Sequence, residues 1–279
     1  LPLLGIVPEF YDPVDLAALD RCAAGARLIW AESPGSLTLE MQDIPAIVAI
    51  ARRHGALTGC DNTWASPLNF RPLDHGVDLV AEALSKHFGG HSDLLMGSVT
   101  VADADLGLRL KAQMGRFGIG VSPDDVALVM RGTETMAVRM ARASATALTL
   151  ARWLQGQAHV ARLLYPPLPG APGHDIWARD FRGAPGLFSV VFDEVAAPHV
   201  LPALDALRVI SIGASFGGTR SLAAPSAVSP LRSATRWTGP EFVLRLSIGL
   251  EAPEDLQDDL TRFLAAIQTC AAAGKIKKS

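Results

Sequence analysis

Charge is scarce in this sequence. Of 279 residues only 19% are charged, and 25 Lys+Arg against 28 Asp+Glu leave a net of −3. No basic surplus offers a phosphate backbone its counter-charge, so nucleic acid is not an expected partner. The one basic cluster, Lys275, Lys277 and Lys278, reads as a solvated tail. Cysteine is scarce too. Cys22, Cys60 and Cys270 are odd in number, far apart and without metal-ligand spacing. That excludes a disulfide framework and points to reduced thiols in a cytoplasmic protein with no metal. No apolar run approaches the roughly 20 residues that span a bilayer, and no signal-peptide pattern is present, so no membrane is expected. No GxGxxG follows a strand, which argues against a plain dehydrogenase. Mean hydropathy is +0.25. So much apolar surface with so little charge calls for a homo-oligomer, or for a further portion of the same protein, to cover it.

What is present begins with alternation. RLIWAES (27–33), ALTGCD (56–61), a stretch near 77–83 and LLMGSVTV (94–101) read as short strands. EMQDIPAIVAIARRHG reads as an amphipathic helix ended by Gly55. Short apolar strands separated by helices predict a mostly parallel α/β sheet, whose ligands gather at the carboxyl ends of the strands. A long helix is expected from Ser122, with Ser122 and Asp125 as a capping box, through Gln157. A domain boundary is placed within it, dividing the chain into 1–139 and 140–279. The second part reads as a smaller α+β domain. YPPLPGAPGHDIW is a turn-rich connection, GLFSVVFD, VISIGA and FVLRLSIGL are strands, PHVLPALDAL is a short helix, and an amphipathic helix with acids in its first turn closes the chain.

Ser33, Asp61 and Lys86 all fall just past predicted strand ends. An acid after one buried strand and a lysine after the next suit an aldehyde cofactor held as a Schiff base. Pyridoxal phosphate needs a lysine amine and an acid beside its ring nitrogen, and the lysine then serves as acid and base. Asp61 can be that acid or a loop cap, and Lys86 that lysine or a solvent-facing one. Ser85 can bind a phosphate oxygen or close a turn. Thr63 can reach the ring, Trp64 reads as packing, and His91, Ser92 and Asp93 read as loop structure. Arg245 interrupts an apolar strand. It either clamps a substrate carboxylate or points to solvent from an edge strand. The turn ASFGGTRS places Ser215 and Phe216 where they can flank the same carboxylate.

These segments, in order, resemble the Cys/Met-metabolism family of PLP-dependent enzymes, the cystathionine lyase and synthase group, with its bacterial β-lyase branch in particular. ALSKHFGGHSD resembles the family lysine motif, CDNTWASP its Asp-Asn-Thr stretch, ESPGSLTLEMQD the β-lyase form of the loop after the first strand, and LRLSIGLEAPEDL the segment with the carboxylate-binding arginine. The resemblance implies a fold-type I, aspartate-aminotransferase-like large domain, truncated at its N-terminus, plus the smaller C-terminal domain. It implies pyridoxal 5′-phosphate as cofactor and Lys86 as the catalytic residue. Asp61, Thr63, Ser85 and Lys86 would hold the cofactor, and Arg245, Ser215 and Phe216 the substrate. It also implies a homo-oligomer, a dimer of dimers, and β-elimination of L-cystathionine to homocysteine, pyruvate and ammonia. The γ-lyases, γ-synthases and sulfhydrylases of the family are the alternative, and a non-catalytic fragment or structural subunit is a second one.

Some positions depart from the family pattern. Ala83 replaces a hydroxyl residue, Ser85 a threonine, His87 a tyrosine, and Phe216 the usual tryptophan. Glu134 stands where an arginine is common and Arg220 where a glutamate is common, which suggests a charge-swapped pair. A preceding segment is also expected to carry the Gly-rich phosphate turn, the ring-stacking tyrosine and the Tyr/Arg pair lent to a neighbouring subunit.

Overall fold

Two runs of five residues, each apolar on one face, and a third that follows Gly76 assemble side by side in a computed structural model that describes residues 2–276. They are β1 (Leu28–Glu32), β2 (Leu57–Asp61) and β3 (Leu79–Ala83), all parallel. β4 (Gly97–Val101) adds antiparallel to β3, giving the order β1-β2-β3-β4. The mostly parallel sheet expected from the sequence is therefore present, with its last strand reversed. α1 (Leu16–Cys22) and α2 (Ile44–His54) pack together. α2 presents Ile44, Ile47, Val48 and Ala51 to the core and lies against β1 and β2. Asp43 caps its start by accepting the Ala46 N–H at 3.0 Å, and Gly55 ends it at φ 68°, where a side chain would strain. α3 (Ser66–Asn69) is a single turn after β2.

α4 (Ala104–Arg116) was not expected; Gly107 and Gly115 dilute its helical signal. α5 (Pro123–Gln155) runs unbroken for 33 residues, straight through Arg139. Ser122 caps it by accepting the Asp124 N–H at 3.2 Å, so the cap is made by Ser122 without Asp125.

The second sheet has the order β5-β6-β9-β8-β7, comprising β5 (Val160–Leu164), β6 (Leu187–Phe192), β7 (Ser211–Ile212), β8 (Leu222–Ala227) and β9 (Phe242–Ser247). All its pairings are antiparallel except β7 with β8. α6 (His174–Asp180), α7 (Val200–Ala203) and α8 (Pro253–Ile276) complete it. VISIGA contributes only the two residues of β7. β5 and β8 are strands that the apolar pattern did not reveal. β8 carries Pro225, and it pairs with β7 only at Leu222 and Ala223. Beyond Ala223 its outer side is an edge, where a missing N–H is tolerated. α6 was hidden in the Pro/Gly-rich run, and Gly173 starts it at φ 76°. Lys277 and Lys278 of the basic end, and the Lys275 side chain, lie outside the described residues. No described helix is long and apolar enough to cross a membrane.

Candidate active site

The parallel register sets Glu32, the last residue of β1, beside Asp61, the last residue of β2. Both point to the same side, because strand neighbours in register share a face. Asp61 turns the chain by accepting the Thr63 N–H at 2.9 Å on Oδ1. Thr63 then accepts the Ala83 N–H at 2.9 Å on Oγ1, which ties the loop after β2 to the end of β3. Three residues past that end stands Lys86.

The Lys86 loop is wound tightly. Gly89 N–H donates to the Leu84 carbonyl at 2.8 Å and Gly90 N–H to the Lys86 carbonyl at 2.7 Å. Ser85 exchanges two bonds with the Met96 backbone, donating to its carbonyl at 3.1 Å and accepting its N–H at 2.9 Å. His91 Nδ1 lies 2.7 Å from the Gly89 carbonyl oxygen, consistent with a loop-forming role. Behind the loop Arg139 donates through Nη2 to the carbonyls of His87 (2.9 Å), Phe88 (3.2 Å) and Gly132 (2.7 Å). Gly90 lies at φ 73°, and a Cβ there would come within 1.9 Å of the Arg139 guanidinium, so glycine is required. α5 thus holds the lysine loop from behind. The sequence reading used Arg139 only to mark a boundary; an arginine on the core-facing side of a helix was the available signal.

The second sheet supplies the opposite wall. Lys86 Nζ sits 4.2 Å from the centroid of the Phe216 ring, a cation–π distance. Phe216 is buried, whereas Ser215 before it is exposed and held at φ 84°. Glu251 fixes this turn by accepting the Ser221 N–H and hydroxyl, each at 2.8 Å. Arg245 is on β9, between β6 and β8, so the edge-strand alternative is excluded. Its Nη1 donates to the Ser36 carbonyl at 3.0 Å, its guanidinium lies 5.8 Å from the Phe216 ring centroid, and its buried Nε has no partner among the described residues. Glu134 and Arg220 are both exposed and form no ion pair with each other among the described residues, so the charge-swapped pair is not made.

Electrostatics follow from this crowding. Burial pulls the Lys86 amine below the ordinary lysine value, while Asp61 and Glu32 oppose the shift and Arg245 adds to it. Lys86 makes no ion pair among the described residues. Burial, and then the Asp61 charge, raise the Glu32 carboxyl, against hydrogen bonding from Ser36. Glu82, on β3, is pushed up to about 7 by burial and Asp61, although Asn62 Nδ2 donates to it at 3.0 Å. His87 is fully enclosed and driven down to about 4 by burial, despite its 3.2 Å contact with the Trp64 carbonyl. Glu32 and Glu82 were missed as site residues, although each is an acid closing an apolar strand, the pattern that singled out Asp61.

These groups fit pyridoxal phosphate at its ring and aldehyde end. An amine free of ion pairs faces two carboxylates, the Thr63 hydroxyl hydrogen is uncommitted, and the Arg245 Nε awaits an acceptor. At the phosphate end, Ser85 reaches a ligand only by releasing Met96.

The chain has clear relatives. It is 45% identical over 272 residues to a putative cystathionine beta-lyase of Rhizobium johnstonii, covering 95% of this chain and 68% of that protein. It is 38% identical over 269 residues to the L-alanine/L-glutamate racemase of Wolbachia pipientis wMel, covering 96% and 66%. The chain thus spans about two thirds of the length of these relatives. Among solved structures it resembles the cystathionine gamma-lyase of Lactobacillus plantarum complexed with L-serine, with TM-score 0.88 and 29% identity over 96% of this chain and 71% of that one. The two-domain α/β architecture is the fold-type I arrangement. Residues 1–265 match the family described as Cys/Met metabolism PLP-dependent enzyme. The chain therefore belongs to the Cys/Met-metabolism family of PLP-dependent enzymes, and pyridoxal 5′-phosphate is the cofactor of its site.

Proposed function

We propose that the protein is a carbon–sulfur lyase that catalyses β-elimination of L-cystathionine or related cysteine conjugates, consuming one water and yielding a thiol such as homocysteine, pyruvate and ammonia. The observation that carries this reading is the Lys86 amine, lowered by burial, without an ion pair among the described residues, and within electrostatic reach of two carboxylates, Asp61 and Glu32, and of Arg245. Arg245 receives the substrate α-carboxylate in a bidentate clamp. Lys86 Nζ, as the neutral amine, takes the proton from the α-carbon and returns one to the departing sulfur. Asp61 keeps the cofactor ring nitrogen protonated. The cofactor, when bound, supplies the electron sink for the pair left at the α-carbon. Phe216 walls the amine on one side, and Thr63 steadies the strand end from which the lysine loop departs. Ser85 is assigned to the cofactor phosphate and Ser215 to the substrate carboxylate. The β-specific part of the reading rests on ESPGSLTLEMQD. The reading includes a homo-oligomer, supported by exposed apolar residues such as Leu108, Phe117 and Val138 on α4, α5 and their connection.

Product analysis with L-cystathionine tests the reaction. Pyruvate with homocysteine is expected, and 2-oxobutyrate with cysteine would assign γ-elimination instead. Lys86→Ala in the cofactor-loaded protein should remove both turnover and the visible absorbance that depends on the lysine link. An unchanged spectrum would refute the assignment of Lys86.

A further inference from the structure

A second charged pair faces a cavity beside this site. The segment after β1, the long connection between β8 and β9, and Phe10 and Tyr11 border an open cleft of about 300 Å³. Glu32 and Ser36 form part of its wall, and the Ser36 carbonyl is the one that holds Arg245. Glu40 and Arg232 line it as well. They are ion-paired through Arg232 Nη2, which also donates to the Thr38 hydroxyl, and both are mostly buried. Arg232 Nη1 donates to Thr235 at 2.9 Å, and the guanidinium lies 5.7 Å from the Trp237 ring centroid.

We propose that Glu40 and Arg232 are specificity-determining residues that read a second, zwitterionic amino-acid head at the far end of the substrate. The proposal rests on the lyase reading above and names the substrate class within it. Without ligand each ion satisfies the other, so neither is left unpaired in a mostly buried place. A ligand that ends in an ammonium and a carboxylate exchanges one pair for two, with the carboxylate on Arg232 and the ammonium on Glu40. A ligand that ends in an alkyl group offers nothing in exchange, and the pair stays closed. Discrimination of this kind comes from polar groups that only one ligand can satisfy. The pair is well placed for it, because the carbonyl that steadies Arg245 belongs to the same wall.

The test compares L-cystathionine with S-ethyl-L-cysteine, which shares the reacting end and lacks the distal head. Binding is read by calorimetry in cofactor-loaded Lys86→Ala protein, which separates recognition from turnover, and kcat/KM is read in the unsubstituted holoprotein. Arg232→Met and Glu40→Gln should each weaken L-cystathionine about tenfold or more and leave S-ethyl-L-cysteine within about twofold, with Arg232→Lys restoring part of the loss. Equal losses for both ligands would reduce the pair to a structural latch and overturn the proposal. So would an absence of preference for L-cystathionine before any substitution. If Arg232→Met does not fold, as judged by its melting curve, Glu40→Gln, which keeps the side chain's size, decides alone. Selective binding without turnover of either substrate would overturn the lyase reading while sustaining this one.

Discussion

In the second sheet all six residues of β6 are buried, and the three central strands β6, β9 and β8 carry one charged side chain between them, Arg245. In the first sheet no residue of β4 is buried, and Leu28, Trp30, Leu57 and Val99 stand 41–58% exposed on one face. Each of its three parallel strands carries an acid at or next to its end: Glu32, Asp61 and Glu82. A sheet enclosed on both faces gains its stability from apolar burial and has little tolerance for charge. A sheet with one open face and polar strand ends can bring ionisable groups together at a modest desolvation cost. The candidate chemistry therefore belongs to the first sheet, and the second lends it one cation and one aromatic wall.

The largest effect expected on stability is at the enclosed sheet. Phe188 on β6 is 0% exposed and its ring centroid lies 5.5 Å from that of Tyr165. Phe188→Ala should cost about 3–5 kcal/mol in denaturant unfolding, from lost transfer free energy and the cavity left behind. A loss under about 1 kcal/mol would mean the second sheet is not the tight core described. Next comes the junction between the regions. Arg139→Met removes a cation that donates to three carbonyls, including two in the lysine loop, and should cost about 2–3 kcal/mol. Hydrogen exchange should quicken at residues 86–90 more than on β6. Uniform quickening would show that Arg139 supports the whole fold and not the loop.

The open face gives a smaller effect. Trp30 lies against Gly59, which has no side chain to lift it, and is 46% exposed. Trp30→Ala should cost about 1–2 kcal/mol, because only half its surface is withdrawn from water. A loss as large as that of Phe188→Ala would mean that this face is covered in solution.

The sequence showed where polar groups interrupt apolar runs, and those interruptions are the candidate site residues. Asp61, Lys86 and Arg245 each break an apolar pattern, and the structure brings Lys86 and Arg245 to the same Phe216 ring, 4.2 Å and 5.8 Å from its centroid. The parallel order of β1, β2 and β3 was legible because each strand is a short apolar run with helical or turn residues between. Elements without that contrast were not legible. β8 is made of small residues and a proline, and pairing with β9 makes it a strand. α6 follows a run of prolines and glycines. The Arg139 clamp left only the arginine itself, on the core-facing side of a helix, as a signal, because its acceptors are backbone carbonyls, which carry none. Glu40 and Arg232 lie 192 residues apart and meet only through the fold.

The smallest effect concerns how the acids of the first sheet tie stability to pH. Glu82 titrates near 7 when folded, against about 4.5 in an unfolded chain. Between those values the folded state holds a proton that the unfolded chain has released, so stability falls as pH rises from about 4.5 to 7. His87 acts in the opposite sense. Its folded value near 4 lies below the ordinary 6.5, so its neutral form favours the fold and stability rises over pH 4 to 6.5. Between pH 4.5 and 6.5 the two slopes oppose each other and should largely cancel, although Glu32, raised by the same burial, adds to the Glu82 side. Glu82→Gln keeps an acceptor for the Asn62 amide and removes the titration. It should leave stability near pH 5 unchanged and raise it by about 1 kcal/mol at pH 8, a figure reduced because Glu82 is partly open to water. The variant should then show the bare His87 slope, gaining stability steadily from pH 4 to 6.5. If urea unfolding gives parallel pH profiles for the two proteins, Glu82 titrates normally, and the first sheet holds its acids at less cost than its geometry implies.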